Sequence, residues 1–488
     1  MHRVVVFFAL TSIFNVNVVQ ADWPQWRGPN RSGYLPSATP LIQSLPPEGI
    51  APTWAFENFP GGNNGGWSSP VVRDGCVYLF AHTKTKNPDR TATPSKYPWL
   101  SPEKRVGMSD EEYAEYEVKR RNENEKQSKA FRFDERLVCL QLDTGTILWE
   151  RSEPSKYTRF VQSGTPCITD NYVLVLGAER TAHCFDAKTG ETVWSQRLPG
   201  EFRDEFFASS FAVADGVALI ACGPLVALRI ADGELLWQGD APTDYQSHSS
   251  PAVWMSDQGA IAVANTARGI TQAYRVSDGS KLWELQSGAG QSTPIVNNDW
   301  LLTYGSSRKN GLKAFQLDPS APTNKPEMKW QFQRAADSGS TPVVYKGHIF
   351  VQGDKRLAKL DLANGKSSWQ TTLRISNPRY TSLIATGDQV FYAWEGVLAF
   401  NADSDRFETL YEAKIDADRF LIAKDDLRKK LKIDEISSQP DGAAASEKLW
   451  QRQAIRSGPL GCSTPAFSDG RMIVRLRDTV VCYDLRQR

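Results

Sequence analysis

A two-part motif recurs along almost the whole chain and leaves few folds open. Its first part is a Ser/Thr-Pro pair followed by a β-type apolar run. It stands at Ser69-Pro70, Thr165-Pro166, Ser250-Pro251, Thr293-Pro294, Thr341-Pro342 and Thr464-Pro465, with degenerate copies at Ser210-Phe211 and Ser382-Leu383. Its second part is Gly-x-x-x-Trp, at Gly145 and Trp149, Gly190 and Trp194, Gly233 and Trp237, Gly279 and Trp283, and Gly365 and Trp369; Trp330 and Trp450 close two further copies whose turn is lengthened. The glycines follow Asp, Thr or Asn, as hairpin turns with positive φ require. Short segments alternating with a period near two, four to a repeat, exclude helical repeats.

Trp54 lacks the first three strands of its own repeat, and the last repeat, opening at Thr464, ends before its fourth strand. The two halves complement each other. The expected fold is therefore all-β: an eight-bladed β-propeller of four-stranded blades, with the N-terminal strand Thr53 to Phe56 closing the last blade. One closed ring over 50–488 replaces the roughly three domains that 488 residues would otherwise suggest.

Two insertions interrupt the period. One, at about 83–136, falls between strands two and three of blade 1 and should hold a helix from Ser109, with Glu112 completing a capping box. The other, at 405–449, is expected between strands three and four of blade 7, with Phe420, Leu427 and Leu431 on one face of a charged helix. Residues 1–21 read as a signal peptide: a weakly basic start, an apolar run and small residues ending at Ala21. The expected location is periplasmic or secreted, with no transmembrane span and a monomer in solution. Residues 22–49 form an N-terminal extended segment.

Charge is balanced, 57 basic against 56 acidic residues, which argues against a nucleic-acid partner. The seven cysteines are isolated in sequence, and aligning third strands gives one position filled by Cys139, Cys184, Ala227, Ala273, Ala314, Lys359, Ala399 and Cys482. Cysteine alternating with alanine reads as a small buried hydrophobe, so free thiols are expected rather than a disulfide framework. No Gly-x-Ser-x-Gly elbow is present, Gly365-Lys366-Ser367 is a repeat hairpin rather than a phosphate loop, and the five histidines lack metal-ligand spacing.

The repeat resembles the pyrroloquinoline-quinone-type propeller repeats, as in Ala273 to Trp283, over about 50–488; the leader Asp22 to Gly33 is similar to the start of many exported bacterial proteins of this group. The resemblance implies that Trp54, Trp149, Trp194, Trp237, Trp283, Trp330, Trp369 and Trp450 dock between neighbouring blades. It also implies one of two functions. Quinoprotein dehydrogenases bind PQQ and Ca²⁺ over the central axis, under a vicinal Cys-Cys pair that this chain lacks. Scaffold propellers, such as outer-membrane assembly factor B, are not catalytic; the lipid-attachment cysteine of that factor is missing here.

The expected site is the channel face, where loops from strand four to strand one carry Arg159, Arg203, Arg334, Arg379 and Arg456 beside Trp67, Tyr245 and Tyr380. Arginines arriving from five blades could hold a small anionic ligand or an acidic protein surface. The reading is a non-catalytic exported scaffold with no cofactor, binding a protein partner or small ligand at that face. The alternatives are a divergent PQQ/Ca-dependent alcohol or sugar dehydrogenase, and a carbohydrate-binding or hydrolytic propeller that stacks sugars on Trp67 or Trp99.

Overall fold

In a computed structural model of the chain, residues 22–91, 93–200, 207–242, 248–267, 269–376, 378 and 380–487 are described. The expected signal peptide at 1–21 and the expected site residues Arg203, Tyr245 and Arg379 lie outside them. The strands form eight sheets, antiparallel apart from one added strand, the blades of a propeller. Blade 1 runs Val71–Arg73, Cys76–Lys86, Phe131–Gln141 and Ile147–Pro154. Blade 8 is Ala466–Ser468, Arg471–Arg475 and Thr479–Asp484, closed by Trp54–Glu57 from the other end of the chain with Trp54 opposite Cys482.

The ladder registers explain the small residues on the third strands. Trp149 stands opposite Cys139, Trp194 opposite Cys184, Trp237 opposite Ala227, Trp283 opposite Ala273, Trp330 opposite Ala314 and Trp369 opposite Lys359. Except at Lys359, each bulky indole thus lies across a short side chain of its own blade and reaches the next one. Trp149 Nε1 donates to Ala187 O at 3.0 Å, Trp194 to Ile230 O at 2.7 Å, Trp237 to Val276 O at 2.8 Å, Trp330 to Leu362 O at 2.9 Å, and Trp54 to Leu142 O at 2.7 Å. Three residues beyond each acceptor sits the turn glycine, against which the indole lies flat. Trp283 and Trp369 make no such bond among the described residues. They abut blades 5 and 7, whose third turns, 317–326 and 402–408, are long and lack that glycine.

Blade 7 corrects the sequence reading. Its fourth strand is Thr409–Ile415, and Tyr411, not Trp450, stands opposite Ala399. The insertion therefore follows the fourth strand instead of preceding it. A search for tryptophan ran past the strand because tyrosine fills the position. Beyond it come a fifth strand, Leu421–Ala423, and helices α2 (Lys424–Lys430), α3 (Ile433–Ser437) and α4 (Gly442–Trp450). Phe420 precedes that strand, while Leu427 is buried with Ile422 and Ala454 under Trp450. In blade 1 the eleven-residue second and third strands extend the ladder outward, and the helix Asp110–Ser128 starts at the Ser109–Glu112 capping box. All seven cysteines are free; Cys76 and Cys462 are only partly buried.

Residues 22–50 run across the face of the first hairpins. Trp23 bridges Val72, Tyr34–Leu35 adds a parallel strand to blade 7, Leu41 bridges Arg486 and Ile50 bridges Leu421. Arg27 and Arg31 are buried and hold this segment in the end of the channel. Arg27 Nη1 donates to Thr341 O (3.1 Å) and Leu383 O (3.0 Å), and its Nη2 to Pro342 O; Arg31 Nη2 donates to Ser210 O (3.2 Å) and Phe211 O. Carbonyls facing the axis have no ladder partner, and a five-donor guanidinium satisfies several at once. No helix of the described residues is long and apolar enough to cross a membrane.

Candidate functional site: the channel mouth

The Ser/Thr of the repeat opens each blade at the axis, and its hydroxyl links neighbouring blades. Ser69 N donates to Thr165 Oγ1, Thr165 N to Ser210 Oγ, Ser210 N to Ser250 Oγ, Ser250 N to Thr293 Oγ1, Thr293 N to Thr341 Oγ1, Thr341 N to Ser382 Oγ and Thr464 N to Ser69 Oγ, all between 2.9 and 3.1 Å. Among the described residues seven such links run round the channel. The proline that follows brings no N–H for the crowded wall to satisfy. This motif makes the ring, so its hydroxyls are structural.

Above the ring is a cavity of about 300 Å³, with Thr165, Ser210 and Ser250 in its wall and Trp67, Phe160, His248, Tyr380 and Cys462 around it. Trp26 of the N-terminal segment also lines it, so the channel ends in an indole. The rim is stiff. Asp337 Oδ1 accepts Gly339 N (2.9 Å) and Ser340 N (2.7 Å), and Tyr380 packs so closely on Gly339 that a Cβ there would lie 2.0 Å from Cδ1. Tyr380 meets His248 edge to face at 6.1 Å, and Gln291 Oε1 accepts His248 N at 2.9 Å. Burial pushes His248 down to about 4 and, with Asp337 adding to it, the Cys462 thiol up to about 12. Both are uncharged at neutral pH.

Of the residues expected at this face, Trp67 and Tyr380 line the cavity. The described arginines do not converge there. Arg159 pairs with Glu117 of the blade 1 helix at 3.5 Å, a carboxylate that Arg120 holds below its usual range. Arg334 and Arg456 are exposed and outside the lining. Trp26, Phe160, His248, Gln291 and Cys462 were not anticipated. Trp26 stood in the leader, and the wall hydroxyls were visible as the repeat itself; the others lie in loops without periodicity.

A quinone bearing several carboxylates, and the Ca²⁺ bound with it, need cationic and anionic side chains. The described lining carries no Lys, Arg, Asp or Glu, so these residues do not fit that pair.

The sequence family described as Outer membrane protein assembly factor BamB matches residues 134–371. The chain is similar to assembly factor BamB of Shewanella oneidensis, 26% identical over 247 residues, covering 46% of this chain and 60% of that protein. Against the Yersinia pestis protein of the same name identity is 24% over 311 residues, covering 58% and 74%. The chain thus spans about 60% of the length of the Shewanella relative. A europium-containing methanol dehydrogenase superposes with a TM-score of 0.55 at 11% identity, over 95% of this chain and 98% of that one, a likeness of fold alone. Eight blades, ring closure by the N-terminal strand and these shared repeats make the chain a β-propeller of pyrroloquinoline-quinone-like repeats.

Proposed function

We propose that the chain is an exported, non-catalytic scaffold, working in the periplasm or outside the cell, that holds a protein partner at the channel mouth. The observation that carries this reading is the mouth itself: a cavity whose described lining bears no charged side chain, rimmed by aromatic side chains and stiffened by Asp337 and Gly339, with Trp26 across the channel behind it. Described lining residues without charge favour an apolar side chain of a partner over a small anion. The relatives named assembly factors support a protein-binding role. The blade 1 helix stands at the same end, tied there by Glu117 and Arg159.

A photo-crosslinking amino acid at Tyr380, used in the native host, tests this. A discrete protein adduct is expected, and none from the same group at Asp215 in a first hairpin turn at the far end. No adduct at Tyr380 overturns the reading. So does purification with stoichiometric quinone and Ca²⁺ and dye-linked alcohol oxidation.

A further inference from the structure

The loop entering blade 1 runs from Pro60 to Trp67 and contains Gly61, Gly62, Asn63, Asn64, Gly65 and Gly66. Four glycines in six residues cost conformational entropy, and this loop needs them. A Cβ on Gly65 would lie 1.9 Å from Pro60 O, and one on Gly66 2.2 Å from Gln162 O. The loop closes on itself through Gly62 N to Gly66 O (2.8 Å) and Gly66 N to Gly62 O (2.7 Å).

It is pinned from blade 8 by the buried Arg475. Its Nη1 donates to Ser68 O (2.7 Å) and Phe80 O (3.0 Å), and its Nη2 to Pro60 O (2.7 Å) and Gly65 O (3.0 Å). Burial lowers this guanidinium to about 9, still cationic at neutral pH. A desolvated charge that binds two carbonyls of the loop, one just after it and one of the neighbouring strand fixes that loop's shape.

Trp394, from blade 7, forms the facing wall. Its Nε1 donates to Ser376 Oγ at 3.1 Å, and a Cβ on Gly461 would lie 2.7 Å from its Cζ3, so the indole is also held in place. Glu395 next to it has φ of 56°, a left-handed conformation for a non-glycine residue, and its carbonyl accepts Lys414 Nζ. Between the walls is a cleft of about 650 Å³, with Trp67 and Trp394 in its lining beside the polar Asn63, Asn64, Glu395, Arg477 and Asp478.

We infer that this cleft binds a short neutral oligosaccharide. Sugar rings present apolar C–H faces that lie on indoles, and their hydroxyls both donate and accept. Carboxamides and carboxylates accept the hydroxyl protons, while carboxamides and a guanidinium donate back. Two carboxylates against one guanidinium disfavour uronate or sulfated sugars. Rigid walls lose little entropy on binding. Trp67 also borders the channel mouth, whereas Trp394 does not. Trp394 therefore separates this inference from the protein-partner reading.

The test is calorimetric titration of the full chain with cellotetraose, maltotetraose, mannotetraose and chitotetraose, and with tetragalacturonate as the acidic counterpart. At least one neutral tetrasaccharide should bind, and Trp394→Ala should weaken it at least about tenfold while leaving crosslinking at Tyr380 intact. Asn64→Ala, in an exposed position, should weaken it too if the Trp394 variant does not fold. Trp99→Ala should bind as the parent does. Absence of binding by all four neutral sugars overturns the inference. Binding that survives both Trp394→Ala and Asn64→Ala, or equal binding of tetragalacturonate, does so as well.

Discussion

If indole-on-glycine contacts join the blades, two glycines of blade 3 should differ sharply when replaced by alanine. Gly216 and Gly233 both have φ of 76°. An added Cβ meets nothing within 4 Å at Gly216, but lies 2.6 Å from Trp194 Cδ2 at Gly233. Both substitutions place a Cβ in the left-handed region, at about 1–2 kcal/mol. At Gly233 the Cβ must also push back a buried indole, an overpacking cost of about 1–3 kcal/mol. It further loosens the Nε1 bond to Ile230 O, worth about 1 kcal/mol. Gly233→Ala should therefore be about 2–4 kcal/mol more destabilising than Gly216→Ala. Urea unfolding followed by circular dichroism measures the difference. On a Trp194→Leu background the excess should shrink by at least about 1 kcal/mol, because the clash partner is gone. Equal destabilisation by the two alanines, or an excess unchanged on the leucine background, would refute the contact as the source.

Three further outcomes follow from particular side chains. Tyr411→Ala should cost about 3–5 kcal/mol, because Tyr411 is buried in the interblade position, whereas Trp450→Ala on the helical insertion should cost less; a reversed order of thermal unfolding midpoints would return the role to Trp450. His248 titrates near 4 in the fold against about 6.5 unfolded, so the unfolded chain takes the proton first; stability is complete above pH 6.5 and falls by at most about 3 kcal/mol as pH drops to 4. His248→Gln should lack that part of the loss, read as the gap between parent and variant in urea unfolding at pH 7, 6 and 5. Cys76 is half-buried and its hydrogen bond with the Cys139 thiol holds it below the usual thiol range, while burial raises Cys184, Cys462 and Cys482; alkylation at pH 7.5 followed by peptide mapping should label Cys76 first.

The ring was legible in the sequence because closure depends on local patterns repeated in every blade. The position filled by Cys139, Ala227 and their equivalents could be aligned because a facing indole forces smallness there. Lys359 escapes that rule by sending its Nζ out to Asp403 O and Ser404 O of the next blade. Tyr411 was missed because the pattern sought one residue type where the blade needs only a large aromatic. The site was much less legible. Arginine-bearing loops looked convergent, yet loop length does not fix side-chain direction, and Arg159 turned to a helix that an insertion supplies. The partners of Arg27, Thr341 and Leu383, are 314 and 356 residues away in sequence. No local pattern carries such a contact.

The same chemistry that builds the ring limits where function can lie. The wall hydroxyls are committed between blades, and the axial carbonyls of Thr341, Leu383, Ser210 and Phe211 are taken by Arg27 and Arg31. A ligand in the channel itself would have to displace partners that cost more to break than it could return. The proposed recognition is thereby pushed outward, to Tyr380 at the rim and to Trp67 and Trp394 on the loops beside it. Arg475 does for the loop before Trp67 what Arg27 does for the leader, holding irregular backbone through carbonyls rather than through a carboxylate. An acid partner would neutralise the guanidinium but fix one point; four carbonyls fix the course of a chain. A propeller that must hold a glycine-rich loop in one shape has reason to bury such a cation.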